Sequence, residues 1–155
     1  MRIGTDRDQL IMELKAARAQ VLEAVAGLSE EQMSKPELDG WCVKDNLNHL
    51  AVCDEIRFHE IGRVSRGGRP AYPPINDRNM DSLNEITVNL RRGLSTDQAM
   101  ADMEFAQSLV LQAIARAPES ALEEKAYGEF GLRGSADHDI AHAAAICEWR
   151  RRDQI

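Results

Sequence analysis

Apolar residues recur at three- and four-residue steps along most of the chain, the period of helices that bury one face. Between residues 6 and 26 the stripe is Leu10, Ile11, Leu14, Ala17, Val21, Leu22 and Val25, with Thr5 or Asp6 as N-cap and Gly27 as stop. The polar segment 29–40 (SEEQMSKPELDG) predicts a connection holding one helical turn. A second helix runs from Cys42 or Val43 to Ser65 on Val43, Leu47, Leu50, Ala51, Phe58 and Ile61. RGGRPAYPPIND, residues 66–77, holds three of the five prolines and predicts a loop. A third helical region starts at Asn76 or Asp77, uses Met80, Leu83, Ile86, Thr87 and Leu90, and breaks near Gly93. It restarts at Ser95, which has capping-box spacing to Gln98, and continues over 96–117 on Ala99, Met103, Ala106, Leu109, Val110 and Ile114. Residues 118–134 carry no sustained period and predict an irregular connection. A last helix runs from Ser135, as N-cap, to Arg151, with Ile140, Ala141, Ala144, Ala145, Ile146 and Trp149 for burial. No segment alternates as a strand does. The pattern predicts an all-α antiparallel four-helix bundle, with its third helical region broken near Gly93, forming one domain over residues 1–155.

Composition narrows what such a bundle does. A domain of 155 residues buries about 70% of its unfolded surface, so it needs neither disulfide nor metal to fold. A net charge of −7 argues against nucleic acid as partner, because phosphate binding requires concentrated Lys and Arg. The one dense basic run, Arg150-Arg151-Arg152, fits the negative end of its own helix dipole. No apolar run reaches the ~18 residues of a membrane span, and the first residues lack an apolar signal core. Three cysteines without CxxC spacing fit reduced thiols in a cytoplasmic protein.

The candidate chemistry lies in the histidines. His138 and His142 stand four apart in ADHDIAHAA, stacked on one helical face, and a third nitrogen has to come from the second helix, which holds His49 and His59. These two are about 80° apart around that helix, so one of them faces the pair. His49, between Leu47 and Leu50, has the more apolar surroundings and is the better candidate. Three imidazoles without a fourth protein ligand leave positions open to water or substrate and suit zinc, nickel, iron or copper. HDIAH has the spacing of the zinc-protease HExxH but carries Asp139 where that motif needs a glutamate base, which argues against proteolysis. Cys53, four residues after His49, is either a thiolate ligand or a small buried hydrophobe. Asp45, four residues before it, either orients the imidazole or serves the helix start as a first-turn carboxylate.

Three blocks carry a family resemblance. GWCVKDNLNHLAVCDE (40–55) resembles the Gly-Trp-Ser/Thr-Val-Lys-Asp…His-Leu signature of the DinB-like superfamily, PPINDRNMDSLNE (73–85) its third-helix opening, and DHDIAHAAAICEWRR (137–151) its closing His-x-x-x-His…Trp-Arg pattern. The superfamily includes the N-terminal domains of mycothiol-dependent maleylpyruvate isomerases and the colibactin self-resistance proteins. The resemblance implies an up-down-down-up four-helix bundle, a homodimer, and a divalent transition metal, zinc or nickel with iron as an alternative, held by His49, His138 and His142. His59 matches no ligand position. It further implies a transferase or isomerase using a low-molecular-weight thiol (mycothiol, bacillithiol or glutathione) and an electrophilic substrate. The alternatives are a hydrolase of a reactive metabolite or toxin and a non-catalytic stress-related binding protein. Cys42 departs from the signature, since a thiol replaces the hydroxyl that caps the second helix, which predicts a weaker helix start.

Overall fold

Four long helices share the core, and the residues that meet at its two ends fix their directions. The computed structural model describes residues 7–71 and 77–155. Among these are six α-helices: α1 (Arg7–Val25), a single turn α2 (Glu30–Met33), α3 (Val43–Ser65), α4 (Asp77–Arg91), α5 (Thr96–Arg116) and α6 (Gly134–Asp153). Two 3-10 turns, Glu119–Leu122 and Glu124–Phe130, link α5 to α6, and no strand occurs among the described residues. The candidate N-caps Thr5 and Asp6 and the start at Asn76 lie outside the described residues, as do the first residues of the PPIND block.

One core cluster joins the end of α1 (Val21, Val25), the start of α3 (Val43, Leu47), the start of α5 (Ala99, Met103) and the end of α6 (Ile146, Trp149). The other joins the start of α1 (Leu10, Leu14), the end of α3 (Ile61), the end of α5 (Val110, Ile114) and the start of α6 (Ala136). The chain therefore runs up in α1, down in α3, down in α5 and up in α6. Because α3 and α5 are parallel, α4 must carry the chain back across the length of the bundle, and it packs on α3 while doing so. The break expected near Gly93 is thus a boundary between two helices with different duties.

The ends are tied from neighbouring helices. Arg150 donates to the carbonyls of Ala24 and Ala26, so it caps α1 instead of only complementing its own helix. Arg7 does the same for α5, donating to the carbonyls of Ile114 and Ala117. Ser95 and Gln98 form the expected capping box, and Ser29 and Gln32 form another on α2. Ser135 is not the cap of α6. That helix starts at Gly134 with no side-chain cap, and Ser135 is buried inside its first turn.

Two apolar stripes need correction. On α4 only Val88 is buried among the side chains described, while Ile86 and Leu90 are exposed, because this crossover helix packs mainly on α3. On α6 the buried face is Ser135, Ala136, Asp139, Ala143, Ile146 and Trp149, whereas Ile140, Ala141, Ala144 and Ala145 lie outside. The cause is polar. Asp139 faces inward against a buried arginine on α1, and the helical period then puts Ala143, Ile146 and Trp149 on the same inner face.

Candidate metal centre

The site forms where the upper half of α3 faces the first half of α6. Its start is set by a turn at Asp39 and Gly40, both with positive φ, which leads into Trp41 and the α3 cap. Cys42 is that cap: its sulfur accepts the Asp45 N–H at 3.4 Å, and the Asp45 carboxylate accepts the Cys42 N–H at 3.1 Å. Asp45 is thereby committed to the helix start and faces Arg92 at 3.6 Å. Of the two readings of Asp45, the helix-start carboxylate holds and the one that orients His49 does not: its carboxylate is drawn back toward the cap.

His49, His138 and His142 are brought together. The Nε2 atoms of His49 and His142 each lie 3.0 Å from the Nε2 of His138, and the three ring centroids are 4.6–5.1 Å apart. His49 is buried, and the other two are half-buried, so the cluster meets solvent on the α6 side. His59 is exposed and meets only the ring of Phe58 among the aromatic contacts. Among the described residues, His49, Cys53 and His138 form a group whose ligand atoms lie within 4.8 Å of one another and that could hold a metal ion.

Electrostatics favour a cluster of neutral imidazoles. Burial, and then the neighbouring His142, lowers His49 to about 4. Burial, followed by His142, His49, Arg57 and Arg18, lowers His138 to about 3. Burial alone brings His142 to about 4. A neutral imidazole is the form that ligates. Burial also pushes the Cys53 thiol up to about 12, so without a metal it stays protonated.

Asn46 settles the tautomer of His142. Its Nδ2 donates to the Cys42 carbonyl at 2.9 Å, which turns Oδ1 toward Nδ1 of His142 at 2.6 Å. An amide oxygen only accepts, so Nδ1 carries the proton and Nε2 presents its lone pair to the other two rings. Such an outer partner is what holds a ligating histidine in place. Asn46 was not singled out from sequence, although it shares a helical face with His49 at a three-residue step. Trp41, whose ring centroid is 5.2 Å from that of His49, was likewise missed as a wall of the site.

Beneath the cluster lies a buried ionic core. Arg18 of α1 reaches Asp139 on α6 and Asp54 on α3, each at 2.8 Å, and donates to the Met103 carbonyl of α5 at 2.9 Å. Arg57 approaches Asp54 at 3.5 Å. The two acidic anchors are sequence neighbours of Cys53 and His138, so the contact that ties all four long helices also sets the height of the site on α3 and α6. The signal for Arg18 was an arginine inside the apolar stripe of α1. A concavity of about 540 Å³ between α1 and α6 is lined by residues such as Gln20, Cys147 and Arg150 and by none of the histidines.

A family model described as the DinB superfamily matches residues 13–149. No curated protein and no solved structure matches the chain. No described helix is long and apolar enough to cross a membrane.

Proposed function

The chain belongs to the DinB superfamily, and from that premise we propose that it is a metal-dependent transferase or isomerase that uses a low-molecular-weight thiol against an electrophilic substrate. The observation that carries the reading is the convergence of three Nε2 atoms, with Asn46 turning the lone pair of His142 into the cluster. With the Nε2 of His138 3.0 Å from the Nε2 of both His49 and His142, the three nitrogens cannot all be paired by hydrogen bonds among themselves, since each carries either one proton or one lone pair. A cation at their centre satisfies every lone pair. A tetrahedral ion about 2.0–2.1 Å from each nitrogen separates two nitrogens by about 3.3 Å, a small adjustment from the spacing present.

His49, His138 and His142 would hold the ion, zinc or nickel with iron as the alternative, and its chemistry would be to favour the thiolate of a bound thiol as nucleophile. The chain's own residues supply the rest. Asn46 fixes one ligand ring, Trp41 lines the approach to His49, and the Arg18 core keeps α3 and α6 in register.

Elemental analysis of purified protein beside His49→Ala tests the ligand set: wild type is expected to retain metal and the variant to lose most of it. Equal retention refutes the triad. Conjugation of a test electrophile with each thiol then tests the reaction, with activity abolished in His142→Ala and after metal removal. Product formed at the same rate in thiol-free buffer would point to hydrolysis instead.

A further inference from the structure

Cys53 stands one helical turn after His49, so α3 places both on the same face. Its Sγ is 3.7 Å from Nε2 and 3.8 Å from Nδ1 of His49. A small apolar filler would have apolar neighbours. This sulfur instead lies against the His49 ring and belongs to the one His/Cys group of ligand distance among the described residues. A tetrahedral centre with nitrogens at about 2.0–2.1 Å and sulfur at about 2.3 Å separates sulfur from nitrogen by about 3.5 Å. The distance present is within a few tenths of an ångström of that.

We propose that Cys53 is a fourth protein ligand of the metal: it shares ligand distance with His49 and His138, and His142, 3.0 Å from His138, turns in to complete a centre of three histidines and one thiolate. The inference rests on the metal reading above and adds a residue to it. On binding, the Sγ–H bond breaks, sulfur keeps the electron pair as ligand, and the proton leaves to solvent. One anionic ligand lowers the net charge of a divalent centre from +2 to +1, which eases its burial between α3 and α6. With four protein ligands in place, an external thiol or water enters such a centre only as a fifth ligand or where Cys53 withdraws.

Cobalt(II) loading of the metal-free full chain provides the test, because a thiolate ligand produces a ligand-to-metal charge-transfer band in the near ultraviolet that imidazoles lack. Wild type and Cys147→Ser are expected to show the band. Cys53→Ala and Cys53→Ser are expected to lose it, keep the visible cobalt bands, and bind at least tenfold more weakly in competition with a chromophoric chelator. Circular dichroism reports whether the variants fold. A wild-type protein that binds cobalt without the band, or a band that survives in Cys53→Ala, overturns the inference and leaves the metal reading standing. A wild-type protein that binds no cobalt overturns both.

Discussion

Arg18 and Asn46 have the two most consequential polar side chains outside the histidines, and each makes a separable prediction. Arg18 is only 3% exposed, with both of its carboxylate partners buried. Burial alone works against its charge, but the hydrogen bonds and charges of Asp139 and Asp54 outweigh it, so the guanidinium is held protonated. Replacing Arg18 by Met leaves Asp139 without its cation and Asp54 with only Arg57, at 3.5 Å. The expected loss is about 3–5 kcal/mol, read as a lower urea midpoint. An unchanged midpoint would mean that the acids find other partners. Asn46→Ala removes the acceptor from His142 Nδ1 and should weaken metal binding about 10–100-fold in chelator competition. Asn46→Asp keeps an acceptor and should recover most of that loss. A merely structural asparagine would not separate the two variants. The histidine pair was legible from its four-residue spacing, and His49 from its place beside Leu47 and Leu50. Asn46 and Arg18 were not, because a polar residue within an apolar stripe reveals its role only through a partner that is distant in sequence.

At the scale of elements, legibility followed how each helix is covered. α1, α3 and α5 have neighbours along their length, and their stripes read correctly at Leu10, Leu14, Val21, Leu47, Leu50, Met103 and Ile114. α4 is covered on one side, so its apolar residues overstate its burial. α6 spends its inner face on Asp139 and small residues, so its period is weak. The N-terminus of α3 shows the expected substitution of sulfur for oxygen, with a long 3.4 Å bond from the Asp45 N–H. A hydroxyl is the better acceptor, so Cys42→Ser should stabilise the protein by about 0.5 kcal/mol and raise its melting temperature slightly. A lower melting temperature would show that the thiol contributes more through its burial than through the cap.

At the scale of the whole molecule, the neutral histidines couple folding to acidity in the metal-free protein. In the unfolded chain each takes a proton near its ordinary value of 6.5. In the fold His49 and His142 resist protonation down to about 4 and His138 down to about 3. The unfolded state therefore binds more protons across this interval, and stability falls as pH drops below about 6.5, by up to about 1.4 kcal/mol per pH unit for each histidine. Urea midpoints of the metal-free protein measured between pH 7 and pH 4.5 should decline accordingly, and His138→Ala should flatten the decline. Bound metal should raise the midpoint at neutral pH, since it binds the folded site and not a scattered set of ligands.

The pairing of α1 with α6 reaches beyond the site. α1 is made before the other helices of the bundle, yet its principal neighbour, α6, is made after them. During synthesis α3 and α5 can associate while the apolar stripe of α1, with Arg18 in its middle, waits for Asp139. The nascent chain is thus most exposed to aggregation and chaperone capture just before α6 appears, and the histidine cluster comes into being in the same step that ends this exposure.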